Sequence, residues 1–427
     1  MKRSVPRPLL PLAWIALGQL LLAGGAFAQE SGAESDHILR WTLGDGLRAH
    51  WGAFEARIRP RFHFDLVDPR FREISEQLGE PFERQIDVRR ARLLGDFGFQ
   101  KGSALESWSL RAQVDFSDSH IDWKDLVASY AGLPALQHGA DTRIRAGHFR
   151  EPFGLEAMTS VSHLPFIERS AASNAFTPGR SRGVQWSEQT DHSLLQLGWF
   201  RRADGDVFPN ELGEETAVTA RGLWQRGREP LAGFELVQVG GSLSLRQPGE
   251  DALRFSARPG SQLMNRIVDT GGIDADSAAT LGVESLMQWG QSSLVAELFG
   301  AHVDANGGED GSLFTGAHLG FFTFLTKGHA ARWNPRRGGI RSARVPDGLH
   351  ADEPTSGALE AAARLTWVDL DSGDVDGGRS ADLEVGLNWY LQPTTRFMLH
   401  WIGARIDAPG GSTAFGSAVL ARIQLQL

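Results

Sequence analysis

The sequence predicts an all-β protein, a transmembrane antiparallel β-barrel, and three observations lead there. Polar and apolar residues alternate with a period of two over runs longer than ordinary strands. Beyond the amino terminus, no apolar stretch approaches the roughly eighteen residues that a membrane-spanning helix needs. The 427-residue chain also contains no cysteine, which removes the disulfide support common in secreted soluble domains. A secreted β-sandwich would likewise bury one face of each strand, but its strands are commonly shorter and its arginine-rich faces would lie in water. A barrel needs apolar side chains outward, polar ones inward, strands of about nine to eleven residues and no free edge.

The chain begins with a leader. Lys2, Arg3 and Arg7 form a basic region, an apolar stretch runs to about Leu22, and Ala26 and Ala28 supply the small residues of a cleavage site. Residues 1–28 therefore read as a signal peptide, 29–50 as a short lead-in and 51–427 as the barrel. Divided among sixteen strands, residues 29–427 leave about 25 residues for each strand with its connection.

Individual strands follow from the alternation. In residues 54–66, Phe54, Ala56, Ile58, Pro60, Phe62, Phe64 and Leu66 share one face, while Glu55, Arg57, Arg59, Arg61, His63 and Asp65 share the other. Trp108, Leu110, Ala112, Val114 and Phe116 oppose Ser107, Ser109, Arg111, Gln113 and Asp115. Leu383, Val385, Leu387, Trp389 and Leu391 oppose Asp382, Glu384, Gly386, Asn388 and Tyr390, and the closing run alternates from Val419 to Leu427. The signal is weakest between residues 215 and 300. Glycine- and aspartate-rich connections such as VDTGGIDADS and RRGGIRSARVPDG alternate with brief ones such as LQPTTR, as hairpins with unequal rims would require.

Residues 147–182, GHFREPFGLEAMTSVSHLPFIERSAASNAFTPGRSR, are too long for a hairpin turn, and Pro152, Gly154, Pro165, Pro178 and Gly179 oppose regular structure. This stretch, with the following GVQW, resembles the signature of the phosphate-selective porin O and P family of Gram-negative outer membranes. The blocks EAAARLTWVDL and LEVGLNWYLQPTTRFMLHWI, and the run VRRARLLGDFGF, are similar to that family as well. The resemblance implies an outer-membrane barrel of sixteen strands, assembled as a trimer. Its third extracellular loop, here residues 150–182, would fold inward as a constriction.

Candidate pore residues follow from charge and phase. Arginine suits anions because a fixed charge and a planar donor fork match their oxygens. Arg57, Arg59 and Arg61 share the face opposite an apolar row, Arg111, Arg143 and Arg145 occupy polar phases of later strands, and Arg150, Arg169, Arg180 and Arg182 lie in the loop segment. Ser160 and Ser162 could replace hydration around a solute. Glu55, Asp65, Asp115, Glu151, Glu156 and Glu168 are equally available to pair these arginines and brace the loop. Three departures from the family pattern bear on the solute. Beyond the leader only Lys101, Lys124 and Lys327 are lysines, the net charge is -9, and the last residue is Leu427 in place of phenylalanine.

The reading is thus a porin for passive diffusion of small hydrophilic solutes, with small inorganic or organic anions as partners, phosphate among them, and outer-membrane lipids around it. A weakly selective general porin, or a secreted β-sandwich hydrolase or binding protein, are the alternatives. No HExxH or GxSxG pattern points to an enzyme, no cofactor or metal is implied, and the acidic balance argues against nucleic acid.

Overall fold

The computed structural model describes residues 37–427 apart from 80, 118–120, 203–213, 228–232, 251, 306–310, 346–355 and 409–412. The leader at 1–28 lies outside the described residues. The chain opens with a hairpin, β1 (His37–Thr42) and β2 (Gly46–Trp51), then enters β3 (Phe54–Arg70) and β4 (Gln85–Phe99), joined through helix α1 (Arg72–Leu78). β5 (Trp108–Asp115), β6 (Asp122–Ala131) and β7 (Asp141–Arg150) follow. Two short helices, α2 (Leu155–Met158) and α3 (Ala171–Phe176), separate β7 from β8 (Arg180–Gln189). Next come β9 (Ser193–Arg202), β10 (Thr216–Arg226) and β11 (Leu236–Gln247), then a small hairpin of β12 (Ser256–Ala257) and β13 (Val268–Asp269). β14 (Ala275–Trp289), β15 (Ser292–Ala305) and β16 (Ser312–Phe324) precede a second small hairpin of β17 (Arg332–Asn334) and β18 (Gly339–Arg341). β19 (Ala358–Ser372), β20 (Val375–Gln392), β21 (Thr395–Asp407) and β22 (Thr413–Gln426) complete the wall.

Each wall strand pairs antiparallel with its neighbours, and β22 returns to β3 with Leu425 opposite Phe62, so sixteen strands close into a barrel. Closure leaves no edge among them, which is what a strand-built membrane span requires. β2 pairs with the first part of β3, Leu47 opposite Ile58, and β22 with the rest. Pro60 sits where β3 exchanges one partner for the other, a place that tolerates a missing N–H. Its carbonyl accepts from the Leu427 N–H at 3.1 Å, so the terminal leucine still closes the last strand.

The period-two reading holds in detail. On β20, Leu383, Val385, Leu387 and Trp389 are exposed on the outside, while Asp382, Glu384, Asn388 and Tyr390 are buried inside. Aromatic pairs gather near one rim: Trp108 with Tyr130 at 5.0 Å, Phe234 with Trp289 at 5.6 Å, and Trp389 with Phe397 at 5.6 Å. They form the girdle expected where a barrel meets the membrane interface. Brief turns at 190–192, 290–291 and 393–394 mark that rim.

The opposite rim carries the connections 71–84, 151–179 and 248–274. Here a wet polar lumen throughout, as expected from the strand pattern, is corrected. Phe299, Val303, Phe314, Leu370, Ile402, Ile406 and Leu420 present apolar side chains inward. They are covered by Ile74 of α1, Phe176 of α3, and Leu253, Phe255, Met264 and Ile267 from 248–274. The connections are therefore packed into the barrel mouth by apolar burial.

The register assigns Arg364 to the inside of β19 and Leu365, 57% exposed, to the outside. Leu365→Arg should therefore lower unfolding free energy in lipid vesicles by about 2–4 kcal/mol, the cost of an arginine on the lipid face near mid-membrane. Urea titration of refolded protein measures it, and a cost near zero would contradict this register.

Candidate functional site: an arginine-lined channel

The segment between β7 and β8 is held along its length by inward side chains of distant strands. Gly154, at φ +66°, brings the backbone against Glu297, where a β-carbon would meet Oε1 at 2.7 Å. Glu297 accepts from the N–H groups of Leu155 and Glu156 at 2.7 and 2.9 Å, satisfying the start of α2. His318 Nε2 lies 3.0 Å from the same carboxylate. Glu156 accepts from Arg364 at 2.7 Å and from the Ser170 N–H and hydroxyl at 2.8 Å. Glu168 accepts two bonds from Arg90 at 2.8 Å and one from Arg422 at 2.8 Å. Burial alone would raise the Glu168 carboxyl, but Arg90, Arg422 and Arg89 hold it well below its usual value.

Wall side chains also bind the backbone of this segment. Gln424 donates to the Ser162 carbonyl at 3.1 Å, Arg396 to Leu164 at 2.9 Å, Asn388 to Pro165 at 2.7 Å, and Arg422 to Ile167. These donors stand on β20, β21 and β22. The segment is thereby drawn toward the β15–β22 side of the barrel, and an open space remains along β3–β9.

That space is a cavity of about 840 Å³. Fourteen arginines and Lys124 line it against four carboxylates, Asp96, Asp125, Asp141 and Glu168. Of the sequence candidates, Arg59, Arg61, Arg111, Arg143, Arg145, Arg150, Arg169, Arg180 and Ser160 come together here. Arg57 does not: it pairs with Asp45 in the β1–β2 turn. Arg182 donates to the Arg202 carbonyl at 3.3 Å, and Ser162 is buried with its hydroxyl 3.3 Å from His63; neither lines the cavity.

The lining cations divide into two groups. Arg59 and Arg111 share Asp96, Arg180 pairs with Asp125 at 2.8 Å, and Arg89 and Arg90 reach Glu168. Among the described residues, Arg61, Arg143, Arg145, Arg150, Arg169 and Arg337 have no carboxylate partner. Arg61 reaches only the Ser160 hydroxyl at 3.4 Å, Arg145 the Gln185 amide at 2.6 Å, and Arg150 the Pro178 carbonyl at 3.3 Å. Arg169 braces the segment through the carbonyls of Glu156, Ala157 and Thr159. Burial, with Arg90 and Arg180 near, pulls its guanidinium down to about 10, and burial with Arg111 near does the same to Arg337. Both stay charged at neutral pH.

Sequence reasoning missed Arg89, Arg90, Arg92, Lys124, Arg336, Arg337 and Arg341. Arg89 and Arg90 both face the cavity because the β3–β4 register shifts between His63 and Phe64, inserting one residue into β4. A strict alternation would have sent one of them outward. Arg336 and Arg337, in the turn between β17 and β18, and Arg341, at the end of β18, come from the β16–β19 connection at the rim opposite 151–179. Ile340 N–H donates to the Thr159 hydroxyl at 3.1 Å, and the Ser342 hydroxyl to the Ser162 carbonyl at 3.3 Å, so the two segments meet.

Comparison with known proteins matches residues 58–427 to phosphate-selective porin O and P. The chain belongs to that family. This porin also resembles solved outer-membrane structures in fold. The channel DcaP of Acinetobacter baumannii aligns with a TM-score of 0.54 at 10% identity, over 88% of this chain and 98% of that one. An anion-selective porin from Comamonas acidovorans aligns with 0.52 at 8% identity, over 88% and 100%. The trimer form of OmpT from Vibrio cholerae aligns with 0.51 at 10% identity, over 87% and 99%. No curated protein matches the porin significantly in sequence. The porin resides in the outer membrane of a Gram-negative bacterium and passes solutes by passive diffusion.

Arg364 pairs with Glu156 and Glu384 and is 1% exposed. Arg364→Ala should lower stability by about 3–5 kcal/mol, because it strands two buried carboxylates. It should also open residues 151–179 to protease in the folded barrel. An unchanged unfolding midpoint together with unchanged protease resistance would show that this anchor is dispensable.

Proposed function

We propose that this porin conducts small anions in preference to cations through the arginine-lined cavity, with residues 151–179 as the inward constriction. The observation that supports the reading is the charge balance of the lining, in which unpaired guanidiniums outnumber the available carboxylates. In a confined space bounded by low-dielectric walls such an excess raises the local anion concentration. Solute contacts would fall on Arg59, Arg61, Arg111, Arg143, Arg145, Arg150 and Arg180, with Ser160 able to replace hydration. Arg57, Arg182 and Ser162 would act as braces. Phosphate is among the anions the family description suggests. The reading is of a channel and not an enzyme, and of a homotrimer, as in the Vibrio protein's trimer form.

A weakly selective general porin is the second reading. The pairs of Arg59 and Arg111 with Asp96, of Arg92 with Asp115, and of Arg180 with Asp125 favour it, since they neutralise part of the wall.

Reversal potentials in planar bilayers under a potassium chloride gradient separate the two. The anion reading expects a clear chloride preference, reduced toward zero by Arg59→Ala with Arg61→Ala. Cation selectivity in the wild type would end it.

The pH dependence follows from groups outside the strands. Arg169 and Arg337 lose charge only as pH rises through about 10. His163, lowered to about 3 by burial and by Arg61 and Arg396, gains charge only near that pH. Anion preference should therefore hold constant from pH 5 to pH 8 and fall as pH approaches 10. A marked change between pH 5 and pH 8 would assign selectivity to other groups.

A further inference from the structure

The β17–β18 hairpin lies in the connection between β16 and β19, at the rim that carries the turns 190–192, 290–291 and 393–394, and its backbone is clamped to the wall at β10. Arg221 on β10 forms a two-point pair with Glu284 on β14 at 2.8 and 2.6 Å. The remaining donors of the same guanidinium bind the carbonyls of Arg337 and Gly338 at 2.7 and 2.8 Å. Gln238 adds a third bond to Glu284 at 2.7 Å, fixing the carboxylate in place. Gly338 adopts φ +56°, a conformation that favours glycine, and it lies close against the Leu223 side chain and the Arg221 guanidinium on β10. Ile340 N–H, held by Thr159 at 3.1 Å, fixes the other side of the turn.

This clamp engages the backbone of Arg337 and leaves its side chain free. Among the described residues the Arg337 guanidinium has neither a side-chain hydrogen bond nor a carboxylate partner, yet it lines the cavity together with Arg111, Asp125, Arg145 and Arg180. Asp125 is already paired with Arg180. An unengaged planar fork held at a fixed depth is suited to two oxygens of one anion, whereas a spherical halide gains only from its charge.

We propose that Arg337 is a specificity-determining residue of this channel, contacting passing oxyanions, and that Arg221 with Glu284 is the pair that positions it. The proposal rests on the anion-channel reading above. Its test is distinct: the wild-type reversal potential judges that reading, while inhibition of chloride current by sulfate in the full-length channel judges this one. Arg337→Gln should weaken sulfate inhibition about tenfold, the loss of one charge-assisted contact. Arg337→Lys, which keeps the charge without the fork, should recover only part of it. Arg221→Gln should weaken sulfate inhibition in the same direction although residue 221 stands behind the turn. Sulfate inhibition of Arg337→Gln equal to that of the wild type would overturn the role of Arg337. An Arg221→Gln channel with lowered thermal stability but wild-type sulfate inhibition would reduce Arg221 to a structural brace.

Discussion

The structure depends on arginine and amide side chains of the barrel wall reaching the backbone of an irregular segment. Residues 151–179 have little regular secondary structure, so their carbonyls cannot satisfy one another, and burial without partners would be costly. Arg396, Arg422, Asn388 and Gln424 supply donors at successive positions of the segment, while Arg364 reaches both the Glu168 carbonyl and the Glu156 carboxylate. Because these contacts address main-chain atoms, they fix where the chain runs and leave its own side chains available for the other face.

Anchoring on one side leaves a cavity on the other. The donors stand mainly on β19–β22, and Glu297 and His318 on β15 and β16 complete the hold. There, acids and bases are matched and buried. Along β3–β9 the matching is incomplete: Asp96, Asp115 and Asp125 pair Arg59, Arg111, Arg92 and Arg180, while Arg61, Arg143, Arg145 and Arg150 line the cavity with no carboxylate partner among the described residues. A barrel is symmetric in its hydrogen bonding but need not be symmetric in its lining. Here one half of the wall grips the segment between β7 and β8, and the other half lines the cavity.

Much of the wall was legible from residue phase. Leu383 to Tyr390 alternate without interruption, so both faces of that part of β20 followed directly, whereas in the closing run Leu420 breaks the polar phase and packs inward. Arg59, Arg61, Arg111 and Arg145 were found by the same logic. The failures have physical causes. Arg57 shares the phase of Arg59, but Asp45 in a preceding turn takes it. Arg89 and Arg90 were lost to a register shift that alternation cannot register. The partners of this segment are distant in sequence, 208 residues between Arg364 and Glu156, 142 between Glu297 and Leu155 and 78 between Arg90 and Glu168, so no local pattern pairs them. RRGGIR reads as a solvated turn, because the residue that holds it, Arg221, sits in the stretch whose strand signal is faint.

Few lysines and a net charge of -9 argued against a strongly attracting pore, and the lining shows why neither quantity settles the matter. Carboxylates such as Glu156, Glu168 and Glu284 are counted in the total but are spent on buried pairs. What lines the cavity without a carboxylate partner among the described residues is a remainder that includes Arg61, Arg143, Arg145, Arg150 and Arg337. Lysine could provide that charge, but the planar arginine fork gives a carboxylate two parallel bonds and still has donors for carbonyls, as in Arg221 and Arg422. A wall that must grip irregular backbone and present charge with the same residue type has reason to use arginine for both, and the scarcity of lysine is consistent with that double use.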